Sequence, residues 1–308
     1  MSQTASGKPA RPFVGLALLK AMRPKQWIKN LLVFAGFVFT LNERWHPFSP
    51  TMWEFLRRSA AAFVLFSAVS SSIYLLNDVI DVERDRQHPT KRNRPIASGA
   101  LSPSVALVAA FVLMIGGLVA AAFLSKAFAA VLGGYVVMQL GYVFVFKNVP
   151  LLDVFILALG FVLRAFAGTA VLGVAISPWL YTVTLLGSLF LALCKRRNEL
   201  MLLESGAAHH RKILKEYTTS LLDSLISIVA SSTIMAYSLY TFTSPTLPAD
   251  HLMMATVPLV IFGLFRYLFL AHSKNSGGSP EEVFLTDRPL IVTVFLWIAI
   301  TGIILTRR

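Results

Sequence analysis

Between Asn77 and Gly99 the chain reads NDVIDVERDRQHPTKRNRPIASG. Asn77, Asp78, Asp81 and Asp85 fall at offsets 0, 1, 4 and 8. On a helix turning about 100° per residue these positions lie on one face, within an arc of roughly 100°. Three carboxylates gathered beside an amide repel one another, and a low-dielectric setting sharpens the repulsion. A hard divalent cation relieves it. Mg2+ takes oxygen ligands, keeps several waters and is commonly shared with substrate phosphates. The same stretch supplies the complement: Lys91, Arg92 and Arg94 suit phosphate oxygens, Arg in bidentate fashion. Pro89, Pro95 and Gly99 shape a rigid, turned loop. The predicted chemistry is a magnesium–diphosphate site. Asp78, Asp81 and Asp85 are its expected catalytic carboxylates, and Asn77 joins them in the metal set.

The elements that must carry this site are apolar. Of 308 residues, 56% are hydrophobic and 14% are charged, where a soluble domain is nearer a quarter charged. Nine apolar segments are expected as spans, at 26–42, 57–80, 103–124, 127–146, 151–173, 178–197, 218–243, 252–272 and 289–306. Pro24, Pro103, Pro150, Pro178 and Pro289 sit near segment starts, where a missing N–H costs little. The expected fold class is an all-α integral membrane protein of about nine transmembrane helices. Residues 1–308 form one membrane domain, with a cytoplasmic or amphipathic segment at 1–25 and cytoplasmic loops at 82–102, 198–217 and 273–288. Twenty-one of the 28 Lys and Arg gather on the side of the N-terminus and of the Asp-rich loop. The positive-inside rule places that side, and the site, in the cytoplasm. It also accounts for the net charge of +13 without nucleic acid, for which no basic, aromatic-studded soluble module exists. Cys194 is the only cysteine, so no intrachain disulfide is possible.

Other residues join the site by position. Tyr142 and Lys147 end the fourth segment on the same side as the Asp-rich loop and are expected to meet substrate phosphates. Arg164 lies well inside the fifth segment, where a charge is functional by default. It is expected in the substrate cavity together with Lys25, Lys29 and Tyr74, a cavity that the resemblance described next implies is the acceptor's.

NDVIDVERD followed by KRNRPIASG resembles the first signature, N-D-x-x-D-x-x-x-D, of the UbiA superfamily of intramembrane prenyltransferases. The resemblance covers nearly the whole chain and implies a UbiA-like bundle with a cytoplasm-facing cavity and Mg2+ as cofactor. Most of that superfamily carries a second Asp-rich motif after its sixth span. Here the corresponding place reads LALCKRRNELMLLE, and Lys195, Arg196 and Glu199 stand at offsets 0, 1 and 4. One acidic and one basic cluster suit a donor with a metal-bound pyrophosphate and a further phosphate. With RPKQWIKNLLVFA, FVLRAFAG and PEEVFLTDR, the pattern resembles the decaprenyl-phosphate phosphoribosyltransferase branch.

That branch implies transfer of 5-phosphoribose from phosphoribosyl pyrophosphate to a polyprenyl phosphate at the plasma membrane, feeding cell-wall arabinan synthesis. Lys195, Arg196 and Glu199 would then join the donor-phosphate residues. Glu282, Asp287 and Arg288, in SPEEVFLTDRPL, would form a lid. Expected partners are the donor, the lipid acceptor and the membrane; a homo-oligomer is left open. Two alternatives stand beside this reading. One is a prenyltransferase using a prenyl diphosphate and an aromatic or quinone acceptor. The other is a transporter of a phosphorylated solute.

Overall fold

The computed structural model describes residues 14–204, 212–273 and 280–307. Its α-helices are α1 (Val14–Ala21), α2 (Ala35–Phe39), α3 (Pro50–Ile80), α4 (Val82–Gln87), α5 (Pro103–Leu124), α6 (Lys126–Phe144), α7 (Leu152–Leu172), α8 (Pro178–Glu204), α9 (Thr219–Thr243), α10 (Val257–Ser273), α11 (Pro280–Thr286) and α12 (Arg288–Leu305). Among the described residues, eight stretches are long and apolar enough to cross a membrane: α3, α5, α6, α7, α8, α9, Leu252–His272 and α12. The chain is a multi-pass, all-α membrane protein. Helix starts follow their residue types. Ser49 and Ser102 cap α3 and α5, each just before a proline at the first helical position, by accepting from the Met52 and Val105 amides at 3.1 and 3.3 Å.

The count is eight, not nine, because the first expected span is not a long α-helix. Pro24–Phe34 is an 11-residue 3-10 run, followed by the five residues of α2. A 3-10 helix rises about 2.0 Å per residue against 1.5 Å for an α-helix, so the two pieces together reach roughly 30 Å. They lie antiparallel to α3. Trp27 Nε1 donates to Ser71 Oγ at 3.0 Å, and Asn30 Nδ2 donates to Ser67 Oγ at 2.9 Å. The Phe34 and Phe63 ring centroids follow at 5.9 Å. Serines make this approach close. Ser67, Ser70, Ser71 and Ser72 are buried on α3, and small hydroxyl side chains let helices meet while offering hydrogen bonds.

The expected loops hold more helix than their sequences suggested. α8 runs on to Glu204, because RRNELMLLE contains good helix formers and neither Gly nor Pro. α4 lies within 82–102 and α11 within 273–288. Residues 1–13 of the expected N-terminal segment lie outside the described residues. The remainder, α1, buries Ala17 and Ala21 and exposes Val14, Leu16 and Leu19, as a helix lying on the membrane surface does.

The first run is also pinned to α7, backbone against backbone. A Cβ added to Gly168 would stand 2.0 Å from the Val33 carbonyl oxygen, and one on Gly36 would stand 2.8 Å from the Gly168 carbonyl oxygen. Neither neighbour is a side chain that could swing away. Gly168→Ala should therefore abolish or severely reduce the folded fraction. Gly187→Ala, where a Cβ meets nothing within 4 Å, should be neutral or mildly stabilising. Thermal unfolding of the two variants in detergent checks the contrast.

Candidate active site

α3 is 31 residues long, about 46 Å at 1.5 Å per residue, so it outruns a hydrocarbon core of about 30 Å. Its last turns carry Asn77 and Asp78. Asp78 has only 2% of its side chain exposed, and a buried carboxylate must be paired. Two arginines do this. Arg23 Nη2 stands 2.5 Å from Asp78 Oδ1, and Arg94 Nη1 stands 3.0 Å from the same oxygen. That Arg94 nitrogen is also 2.6 Å from Asp85 Oδ2. Arg23 lies over the Tyr74 ring at 5.1 Å. Asp78 and Asp85 thus converge on a single cationic nitrogen.

Asp81 does not join them. α3 stops at Ile80, Asp81 leaves helical geometry at φ −92° and ψ 10°, and α4 restarts at Val82. One continuous helix would have kept all four offsets in phase. In the fold Asp85 shares Arg94 with Asp78, while Asp81 stands 3.6 Å from Lys147 and 3.7 Å from Arg84. Accordingly, no cluster of three or more metal-ligating acids, His or Cys forms among the described residues. The donor set still suits Mg2+: two carboxylates aimed at one cation, with the remaining positions left to water and phosphate oxygens. Asn77 is half-buried one residue before Asp78, and Arg92 is exposed. Lys91, Tyr142 and Lys195 are half-buried at this end or the adjoining helix ends.

Arg164, expected in the acceptor cavity, is held inside the bundle by neighbouring groups. It is 5% exposed. Its Nε donates to Asn30 Oδ1 at 2.7 Å, Nη1 to the Gly160 carbonyl at 2.6 Å and Nη2 to Tyr135 Oη at 3.1 Å. The rings of Phe66, Tyr135 and Phe161 flank its guanidinium at 5.0 to 5.5 Å. It joins the first run, α6 and α7. Lys29 donates to Gln26 Oε1 at 2.5 Å one turn away, and Lys25 is exposed.

Arg196, expected among the donor-phosphate residues, is also paired inside the bundle. Its side chain is 2% exposed and 2.5 Å from Asp153 Oδ2, a carboxylate with no exposure at all. It also binds Glu199. Tyr217 Oη donates to Asp153 Oδ1 at 2.7 Å and accepts from the Leu151 amide at 2.7 Å. Leu151 adopts φ 65°, a strained value for a residue with a Cβ. The cluster fastens the starts of α7 and α9 to α8. Burial, then the bond to Asp153, push the Tyr217 phenol up to about 12. Asp287 has a structural task too. It caps α12 through the Leu290 amide at 3.1 Å and pairs with Arg266 at 2.9 Å. Arg288 is exposed, and the side chain of Glu282 lies outside the described residues.

Helical periodicity missed Arg23, Asn30, Asp153 and Tyr217. Asp153 carried the clearest signal, as a lone acid opening an apolar segment.

The long apolar helices and the paired acids and arginines at one end of the bundle are those of an integral membrane protein with a charged site. Residues 31–298 match the UbiA prenyltransferase family, and the chain belongs to it. It is 38% identical over 291 residues to a decaprenyl-phosphate phosphoribosyltransferase of Corynebacterium glutamicum, covering 91% of this chain and 84% of that protein. It is 36% identical over 309 residues to the Mycolicibacterium smegmatis protein of the same name, covering 98% and 95%. The fold matches a UbiA homolog from Archaeoglobus fulgidus bound to GPP and Mg2+, with TM-score 0.71 and 18% identity, over 95% of this chain and 100% of that one.

Two outcomes follow from the buried cluster. Arg196→Met strands a buried carboxylate, which costs about 3–5 kcal/mol. Arg196→Met combined with Asp153→Leu should recover most of that loss in denaturant unfolding. The second outcome concerns pH. An unfolded chain releases the Tyr217 proton near pH 10 and the folded chain only near 12, so this contribution is complete below pH 10 and is lost as pH rises toward 12. Tyr217→Phe should flatten that part of the stability–pH curve.

Proposed function

We propose that the protein transfers 5-phosphoribose from phosphoribosyl pyrophosphate to a polyprenyl phosphate such as decaprenyl phosphate, releasing pyrophosphate. The observation that carries this is the convergence of Asp78 and Asp85 on one cationic position, beside the basic loop of Lys91, Arg92 and Arg94. Carboxylates so placed suit a metal-bound pyrophosphate. The names of the bacterial relatives support a phosphoribosyl group as what is transferred and decaprenyl phosphate as the acceptor.

Asp78 and Asp85 would hold Mg2+, which when bound neutralises the pyrophosphate leaving group. Arg94, Lys91 and Arg92 bind and orient donor phosphates, and Lys147 reaches them from the turn after α6. As the bond from C1 of the ribose to pyrophosphate breaks, positive charge develops on the ring. A phosphate oxygen of the acceptor then bonds to C1. That oxygen is already anionic, so the chain need only position it and exclude water, and no side chain has to remove a proton. An apolar cavity of about 570 Å3, lined by Leu32, Phe39, Trp179, Val183, Tyr240 and Trp297, lies beside Glu43 and Arg44, at the opposite end of the first run from Arg23.

The side of action is part of the proposal. The donor is a soluble phosphosugar, and the basic residues favour a cytoplasmic site at the plasma membrane. In a Cys194→Ser background, Ser98→Cys should resist an impermeant thiol reagent in intact cells, and Ala249→Cys should react. The reverse would overturn the orientation.

The reaction is tested with purified protein, labelled phosphoribosyl pyrophosphate and polyprenyl phosphates of several lengths. Labelled lipid should form, and it should not form from geranyl diphosphate and an aromatic acceptor. Asp85→Asn keeps the side-chain shape and should lower turnover at least about a hundredfold. Transfer from a prenyl diphosphate alone would replace this reading with ordinary prenyl transfer.

A further inference from the structure

Arg23 has no part in the reaction proposed above, yet of the two arginines on Asp78 it makes the shorter contact. It stands 55 residues away in sequence, in the left-handed region at φ 56° and ψ 62°, directly before Pro24. That conformation is costly for a residue with a side chain, and the proline that follows disfavours helix there as well. The turn aims the guanidinium at Asp78. The Arg23 side chain is 27% exposed, whereas Asp78 is 2% exposed, so the arginine covers the carboxylate from its open side. The Tyr74 ring beneath the guanidinium fixes its plane.

The local charges are two guanidiniums and two carboxylates, Arg23 and Arg94 against Asp78 and Asp85. That set is neutral without any ligand. A divalent cation arriving alone would have to displace an arginine and leave uncompensated positive charge in a low-dielectric rim. A phosphate arriving alone would find both arginines already engaged. If cation and pyrophosphate arrive together, each takes one member of the existing pairs. The cation takes the carboxylates, and the arginines pass to phosphate oxygens, for which a guanidinium fork is well shaped.

We infer that Arg23 is a pyrophosphate-binding residue that also guards Asp78, and that its exchange between the two couples metal binding to pyrophosphate binding. The inference rests on the donor site proposed above, but not on which sugar or lipid the donor carries. Coupling of this kind is reciprocal: each ligand tightens the other by the same factor.

The test uses Mn2+ as the metal and inorganic pyrophosphate as the anion, on full-length protein in detergent. Bound Mn2+ is read by electron paramagnetic resonance with and without pyrophosphate. Complexation in free solution is common to all proteins compared and cancels between them. Arg23→Gln should bind Mn2+ alone at least about fivefold more tightly than the wild type, because the guard is gone. It should bind pyrophosphate in the presence of Mn2+ at least about tenfold more weakly. These opposite signs are the signature, since damage to the site or the fold would weaken both. Arg23→Lys keeps the charge and should hold Mn2+ affinity within about threefold of the wild type, so it serves if the Gln variant does not fold. Unchanged coupling in a folded Arg23→Gln protein, or tighter Mn2+ binding in Arg23→Lys, would overturn the assignment. A wild type that binds neither probe would overturn the donor site itself, and Arg23 with it. Normal binding of both probes without phosphoribosyl transfer would leave Arg23 in place and remove only the proposed substrate.

Discussion

A carboxylate buried at the end of a membrane helix must find a cation, and much of the cytoplasm-assigned rim follows from how Asp78 finds two. Arg94 reaches it from the loop after α4, and Arg23 from the turn before the first run. Each contact constrains an element. To bring Arg23 over Tyr74 and onto Asp78, the chain accepts a left-handed residue and a 3-10 run in place of an ordinary helix. That run is then held along its length by serines, by Asn30 and by the glycine crossing with α7. The departure from regular helix is local and is stabilised by contacts on several neighbours, as a strained functional segment requires.

Three buried arginine environments in this protein show how partner choice divides structure from function. Arg164 meets only neutral acceptors and aromatic faces, all of which belong to the bundle. Arg196 meets a fully buried carboxylate in a closed cluster. Neither can release its partners cheaply, because doing so strands a polar group in a dry interior. Arg23 and Arg94 differ in keeping about a quarter of their side chains exposed. Water or a ligand can replace their partners, so these arginines are suited to exchange. Depth, more than charge, separates a lock from a binding group.

The α-helical class and most of the spans were legible because apolar runs and proline positions act locally. The signature NDVIDVERD was legible because its spacing is chemical as well as helical. What sequence spacing could not show was the break at Asp81, which depends on Lys147 and on the restart at Val82. A perfectly periodic reading kept four oxygens together, whereas the fold keeps two. Arg23 and Asp153 were hidden for another reason. Their partners lie 55 and 43 residues away, and no local pattern announces a contact made by tertiary packing. The different burial of Lys195 and Arg196 was not legible either, because two adjacent cations look alike in sequence, although the helix buries Arg196 and leaves Lys195 half-buried.

The pair of Asp153 and Arg196 gives the missing second acidic motif a different meaning. Where much of the superfamily is expected to place carboxylates that share in metal binding, this chain keeps an arginine between two carboxylates, Asp153 and Glu199. On the same side Lys147 stands against Asp81. A donor with one pyrophosphate and one distant phosphate needs strong metal-assisted binding at only one end, with weaker cationic contacts at the other. An asymmetric rim, dense with paired charge at Asp78 and sparse beyond Arg196, is the arrangement such a molecule would select.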